Sequence, residues 1–175
     1  MINNTELFNT KLEIRRFKPS FLNLYWQCYS PNDAPDYWNS YSHKIRMMLA
    51  LIGKGYEVIY GIAQGTVIGH IVVDYNNKFH GQHSKDITLG PKWIIPSFRG
   101  KGYGSELSSI VLNELDIRYR CAYEIISSNN IASIKCATNN GYEFYSCAKR
   151  TRMGKFELCD NNSWYIYKRE NKNYG

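Results

Sequence analysis

The stretch Trp93-Ile94-Ile95-Pro96-Ser97-Phe98-Arg99-Gly100-Lys101-Gly102-Tyr103-Gly104-Ser105-Glu106-Leu107 constrains this chain more than any other. Ile87 to Ile95 reads as an apolar strand that Pro96 closes, and from Gly104 to Ile117 the residues Leu107, Ile110, Val111, Leu112 and Leu115 face inward on a helix. Between the two stand three alternate glycines. Glycine takes a positive φ without penalty and lets a ligand approach the main chain with no Cβ in the way. Successive N–H groups of such a turn point into a concavity at the positive end of the helix dipole, a combination that binds phosphate. Arg99 and Lys101 could add charge there or face water equally well. The turn does not end in Gly-Lys-Ser/Thr, so it is not a nucleotide-triphosphate loop. No clean βαβ unit with a ribose-binding acid follows it, which also argues against a dinucleotide site.

The rest of the chain arranges strands and helices around that turn. Lys11 to Phe17 alternates with period two, as a half-buried strand does. Pro19 opens a short helix through Tyr29, and a second helix is expected from Asp36 to Ile52, ended by Gly53 and Gly55. Glu57–Ala63 and Thr66–Tyr75, joined at Gln64-Gly65, predict a β-hairpin. Asn76 to Lys85 is polar and contains glycine, which predicts a mobile loop. Cys121–Ile126 is a further strand, Asn130–Asn139 a helix ended by Asn140-Gly141, and Tyr142–Lys149 opens a last run of strands that turns at Asp160-Asn161-Asn162 and returns through Trp164–Tyr167. This order predicts an α/β fold, a mixed sheet flanked by helices.

Length and composition narrow the class. A chain of 175 residues fits one domain, taken as 1–175 with 170–175 as a flexible tail, and 43% hydrophobic against 21% charged residues exclude wholesale disorder. No stretch approaches the ~20 apolar residues of a membrane span. Met1 to Glu6 shows no basic head before an apolar run, so the expected address is the cytoplasm, with no membrane partner. The five cysteines are odd in number and widely spaced, and with four histidines they form no metal-ligand spacing, so neither a metal nor a disulfide is expected. The formal charge of +7 gathers partly in Lys149, Arg150, Arg152 and Lys155 and in Lys168, Arg169 and Lys172. Nucleic acid would explain such clusters, as would an anionic cofactor or substrate or a plainly solvated surface. Nucleic acid is not the expected partner, and nothing argues against a homo-oligomer.

Two blocks of sequence carry a resemblance. Arg99-x-x-Gly102-x-Gly104, preceded by Ile94-x-Pro96, resembles the acetyl-coenzyme A signature of the GCN5-related N-acetyltransferases, the GNAT family. Asn130-Ile131-Ala132-Ser133-Ile134, with Gly141-Tyr142 eleven and twelve residues after the Asn, resembles that family's second block. The resemblance covers about Tyr56 to Tyr145. It implies an acyl-coenzyme A N-acyltransferase fold with a central mixed, mostly antiparallel sheet. It implies acetyl-coenzyme A as cosubstrate, its pyrophosphate held by backbone amides from Gly100 to Ser105 (Gly100, Lys101, Gly102, Tyr103, Gly104, Ser105). Its pantetheine arm would be held by the main chain of Trp93 and Ile94 in a gap between splayed strands, with Asn130 contacting the arm. An amide near Ile94 or Ile95 would steady the oxyanion. Asn130 also suits a plain helix N-cap.

The resemblance further implies transfer of an acetyl group to a primary amine by direct attack in a ternary complex. Many members place a Tyr seven residues after the Asn to protonate the leaving thiolate; that position here is Ala137, which leaves the acid unassigned. A lysine-type ammonium, with a pKa near ~10.4, must lose a proton before attacking. Asp86 and His70 are the candidates for that base. The acceptor is expected to be a small-molecule amine such as an amino sugar, bound by the N-terminal helices and by loops that include Asn76–Ser84, with Tyr25, Trp26, Tyr37, Trp38, Tyr41, Phe79, His80 and His83 as stacking or polar candidates. A non-catalytic acyl-coenzyme A binding or sensing module is the alternative.

Overall fold

A computed structural model describes residues 12–17, 29, 32–36, 44–45, 48, 55–152, 154–160 and 163–175. The helices expected over 19–29 and 36–52 lie almost wholly outside these residues, as do Tyr25, Trp26, Tyr37, Trp38 and Tyr41.

Long β-branched and aromatic runs give eight strands among the described residues: β1 (Glu13–Phe17), β2 (Tyr56–Ala63), β3 (Thr66–Asp74), β4 (Ile87–Ile94), β5 (Cys121–Ser127), β6 (Glu143–Arg150), β7 (Phe156–Cys159) and β8 (Trp164–Glu170). They form one sheet in the order β1-β2-β3-β4-β5-β8-β6-β7. Every neighbouring pair is antiparallel except β4 and β5, which run parallel. The β2–β3 hairpin turns as expected on Gln64 and Gly65, both at positive φ (52° and 73°), which matches the right-handed twist of the flanking strands. The strand β7 was not resolved as a separate element by the sequence pattern.

Among the described residues, two α-helices, α1 (Tyr103–Glu114) and α2 (Ile131–Asn139), cover one face of the sheet. Leu107, Val111, Leu112 and Leu115 are buried against Ile59, Ile71, Val73 and Leu89 of the strands. Each such side chain contributes roughly 1.5–3 kcal/mol of transfer free energy. The first helix stops at Glu114 rather than Ile117. Its last inward residue is Leu115, after which a 3-10 turn over Asp116–Arg118 leaves Ile117 at 80% exposure. The second helix follows its sequence signals closely. Asn130 Oδ1 accepts the Ser133 N–H at 3.1 Å, and Gly141, at φ +76°, closes the other end with Gly141 N–H donating to Thr138 O and Tyr142 N–H to Ala137 O.

The opposite face carries a second cluster of Tyr56, Val58, Tyr60 and Val72, packed by Phe17, Tyr29 and Ala34. The segment after β3 corrects the expectation of a mobile loop. Its polar side chains bond inward: Lys78 N–H donates to Gln82 Oε1 (2.7 Å), Asn77 Nδ2 to Gln82 O (2.8 Å) and Gln82 Nε2 to Thr88 Oγ1 (3.2 Å). Phe79 is 4% exposed, bridges to Phe156 and meets Tyr123 edge-on, so it belongs to the core and is not a free acceptor-stacking ring. The residues after β8 are also tied down, with Asn171 Nδ2 donating to Tyr119 O at 2.8 Å and Asn173 Nδ2 to Asp116 Oδ2 at 2.7 Å.

Candidate active site

The parallel pairing of β4 with β5 lasts for two registers, Ile87↔Ala122 and Thr88↔Tyr123, and then stops. From Leu89 onward β4 keeps β3 on one side and has no strand on the other. The pairing with β3 shifts register between Ile71 and Val73, opposite Gly90-Pro91, and this irregularity turns β4 away from β5. A cavity of about 220 Å³ fills the wedge, walled by Leu89 to Lys92, by Glu124 to Ser127 and by Asn130 and Ser133 of the second helix.

Alternation along β4 fixes which groups look into the wedge. The Ile95 N–H donates to Ile68 O at 2.8 Å, toward β3. Extended residues alternate, so the main chain of Trp93 also faces β3, and that of Lys92 and Ile94 faces the gap. The amide of Ile95 is therefore spent in the ladder and that of Ile94 points into the gap. The main chain of Trp93, expected to bond the cofactor arm, faces β3 instead, and the main chain that faces the gap beside Ile94 is that of Lys92, which the sequence pattern did not single out. The side chain of Trp93 lies on the face away from the helices. There its Nε1–H donates to Asp33 O at 2.9 Å and the Arg99 guanidinium stacks over its ring at 4.3 Å. Arg99 Nε also donates to Ile94 O at 2.9 Å, which folds this cation back onto β4.

At the open end of the wedge, Pro96–Phe98 form a single 3-10 turn and the chain passes through Gly100 (φ +76°) and Gly102 (φ +85°) into α1. Among the described residues, the amides of Gly100, Lys101, Gly102, Tyr103 and Gly104 donate to no backbone acceptor; the helical bonding starts with Ser105 and Glu106, both onto Gly102 O. Nothing lies within 4 Å of where a Cβ would stand on Gly100 or Gly102. Five free donors around an open concavity at a helix N-terminus suit a diphosphate. A Cβ on Gly104 would stand 3.6 Å from Ile94, an ordinary contact. Lys101 Nζ sits 5.4 Å from the Phe98 ring, Tyr103 packs on the same ring, and Ser105 Oγ accepts Asn140 Nδ2 at 2.8 Å, so that hydroxyl joins the two helices. Asn130 lines the wedge while capping α2, which makes its two expected roles compatible.

The two candidate bases stand elsewhere. Asp86 is 1% exposed, just below the closed end of the wedge. Arg120 clamps both its oxygens, Nε to Oδ1 at 2.9 Å and the guanidinium NH2 to Oδ2 at 3.0 Å, and the His83 N–H donates to Oδ2 at 2.9 Å. His70 is fully buried one strand away, paired with Trp93, with the Tyr29 hydroxyl 2.7 Å from its Nδ1. Asp86→Asn is expected to lower the melting temperature by about 2–6 °C while leaving the pH profile of kcat/KM in place. A lost acidic limb in that profile, the limb that a general base sets, would return Asp86 to the chemistry.

The wedge also holds a charged pair that the sequence did not single out. Lys92 and Glu124 point under the helices with side chains 12% and 6% exposed. Lys92 Nζ lies 2.8 Å from Ser108 Oγ, 3.1 Å from Cys136 Sγ and 3.4 Å from Glu124 Oε1. Burial works to discharge Lys92 and is outweighed by Glu124 and Cys136, so its pKa stands above the ordinary lysine value. Burial pushes the Glu124 carboxyl up. The signal in the sequence was a lysine inside an otherwise apolar strand pattern, without which Glu124, thirty-two residues on, has no visible partner.

The acetyltransferase (GNAT) domain family matches residues 5–143. Among curated protein sequences none matches. An N-acetyltransferase from Staphylococcus aureus Mu50 is similar in structure, with a TM-score of 0.64 at 17% identity over 93% of this chain and 100% of that one. The Salmonella typhimurium acetyl transferase that modifies the N-terminal serine of ribosomal protein L7/L12 aligns with a TM-score of 0.58 at 17% identity over 80% and 78% of the two chains. The microcin C7 self-immunity acetyltransferase MccE, solved with acetyl-CoA and AMP, gives 0.55 at 15% identity over 74% and 68%. At these identities the likeness speaks for the fold. No helix among the described residues is long and apolar enough to cross a membrane. The family match takes in both sequence blocks, the splayed strands and the glycine turn, and the chain belongs to the GNAT acetyltransferases, enzymes that draw their acetyl group from acetyl-coenzyme A.

Proposed function

We propose that this chain acetylates a small primary amine, the amine attacking directly while donor and acceptor are bound together. The observation that carries the reading is the unpaired edge of β4, which ends in a turn of five free amides. Those amides would hold the diphosphate of acetyl-coenzyme A. The gap-facing main chain of Lys92 and the N–H of Ile94 would pair with its pantetheine arm as an added strand does, and Asn130 would meet the arm from the N-cap of α2. The bound thioester supplies an activated acetyl carbon.

Of the two candidate bases, His70 has the better claim, because its ring is joined to a hydroxyl that can pass a proton, whereas both Asp86 oxygens are taken. A protein amino terminus is the second acceptor class, favoured by the Salmonella neighbour that modifies an N-terminal serine.

Calorimetry with acetyl-coenzyme A is expected to give a Kd of about 10 µM or tighter, roughly 7 kcal/mol of binding free energy. Thiol release should then appear with at least one amine in a panel of amino sugars, nucleotide-linked amino sugars and N-terminal peptides. Turnover confined to peptides would replace the small amine by a protein terminus. Binding with no thiol release would return the sensing alternative.

A further inference from the structure

Lys92 and Glu124 are the charged side chains on the wall of the wedge, one on each of the two strands that part there. Taking a charge pair out of water costs several kcal/mol per ion before the partner's attraction is counted, and an apolar pair of similar volume would fill the same space. The three N–H groups of the Lys92 ammonium meet Ser108 Oγ at 2.8 Å, Cys136 Sγ at 3.1 Å and Glu124 Oε1 at 3.4 Å, and the last two contacts are loose enough to be exchanged for a bound ligand. The contact with Glu124, at 3.4 Å, is long against the ~2.7–2.9 Å of a strong charged hydrogen bond, so the carboxylate keeps Lys92 charged while leaving that N–H easily redirected. A sulfur atom, Cys136 Sγ, already sits 3.1 Å from Nζ, which demonstrates that the site accepts sulfur at hydrogen-bonding distance. The glycine turn lies at the open end of the wedge and Lys92 toward its closed end, so a thioester gripped at the turn and laid along β4 brings its own sulfur toward this cation. The second helix brings no hydroxyl acid to the spot, since its buried residue there is Ala137.

We propose that Lys92 is a catalytic residue, the cation against which the coenzyme A sulfur departs. The inference rests on the acetyl-transfer reading above. As the amine nitrogen attacks, a C–N bond forms, the C–S bond breaks and its electron pair stays on sulfur. The proton released by nitrogen goes to the base, and the thiolate is held beside the Lys92 ammonium until water protonates it. The titratable groups packed around Lys92 are Glu124 from β5 and Cys136 from α2. Beyond Glu124 stands Tyr142, whose buried hydroxyl has no hydrogen-bond partner among the described residues. Ser108 from α1 and Ile71 from β3 bring no charge.

Two measurements test it. In the wild-type protein, calorimetric affinities for coenzyme A and for desulfo-coenzyme A are compared from pH 6 to pH 9. A thiol beside a lysine ionises more readily, so the ratio should shift in favour of coenzyme A by roughly 10-fold as pH rises; parallel curves for the two ligands overturn the proposal. The second uses the pair Lys92→Met with Glu124→Leu, which leaves no unpaired buried charge and is therefore expected to fold. Its kcat should fall about 100-fold, the scale of losing one charge-stabilising donor, with KM for acetyl-coenzyme A within about threefold of wild type, because the thioester is neutral until the bond breaks. A folded variant that retains kcat, or loses it in step with a raised KM, overturns the proposal. Absence of thiol release from the wild type with every amine would instead strike the acetyl-transfer reading, and the pH comparison would still decide the role of Lys92.

Discussion

Gly102→Glu is expected to weaken acetyl-coenzyme A binding at least about 100-fold, a loss of roughly 2.7 kcal/mol, while the protein stays folded. Two costs combine. The backbone at Gly102 stands at φ +85°, where an L-residue is disfavoured by about 1–2 kcal/mol, and this falls on stability. The larger cost is electrostatic. The turn gathers five unpaired amides at the positive end of α1, and a carboxylate set among them competes for those donors and repels the diphosphate. Open space around Gly102 means that no neighbour has to move, so the fold should tolerate the side chain with a fall of about 2–8 °C in melting temperature. Gly102→Ala separates the terms, since it carries the backbone cost without the charge and should keep most of the affinity. Calorimetry and thermal melts on both variants provide the check. Equal affinities for Gly102→Glu and wild type would remove the turn from the site.

Gly69→Ala should be costlier to the fold than its cross-strand counterpart Gly61→Ala, although the two glycines are paired and the chemical change is the same. A Cβ on Gly69 would stand 2.3 Å from Trp93 O and 3.1 Å from Ile94 Cα, both main-chain atoms of β4, and 2.7 Å from Ile94 Cδ1. Backbone cannot swing aside as a flexible side chain can, so β4 itself must shift. Overpacking of this kind costs about 3 kcal/mol, which is a fall of roughly 6–12 °C for a chain of this size. A Cβ on Gly61 meets Leu107 at 3.4 and 3.5 Å and Leu12 at 3.5 Å, ordinary contacts with side chains, and should cost under about 1 kcal/mol. The shift forced by Gly69→Ala falls on the part of β4 whose Ile94 faces the gap, so acetyl-coenzyme A affinity should drop along with stability. A Gly69→Ala protein as stable as Gly61→Ala would show that β3 and β4 are less closely set than they stand here.

Much of the site was legible because its signals are local. Alternate glycines after a proline-closed strand announce positive φ and free amides within eight residues, and Gly100 and Gly102 stand at +76° and +85°. Asn130 reads as a cap because its side chain bonds a donor three residues on. Asn140-Gly141 reads as a helix end because glycine accepts the left-handed turn that closes the last carbonyls. Each effect acts inside one turn of chain, so nothing distant can undo it. Where a distant partner could intervene, expectation and structure diverge. Asn76 to Lys85 had the composition of a mobile loop, and Phe156, some eighty residues away, anchors it through Phe79. Asp86 looked available as a base until Arg120 closed on both its oxygens.

By itself, then, the sequence determined the family, the mixed sheet with its glycine turn and the helix that springs from it, because hydrophobic period and glycine φ are properties of neighbours along the chain. Tertiary structure alone decided which amides of β4 look into the wedge, since the Ile95–Ile68 hydrogen bond sets that parity. It alone decided that Gly69 must be bare, because the constraint is the main chain of another strand. It also brought Lys92, Glu124, Ser108 and Cys136 to one point under two helices. The meeting of four residues on four separate elements depends on how strands splay and helices pack, and no spacing within the chain encodes it.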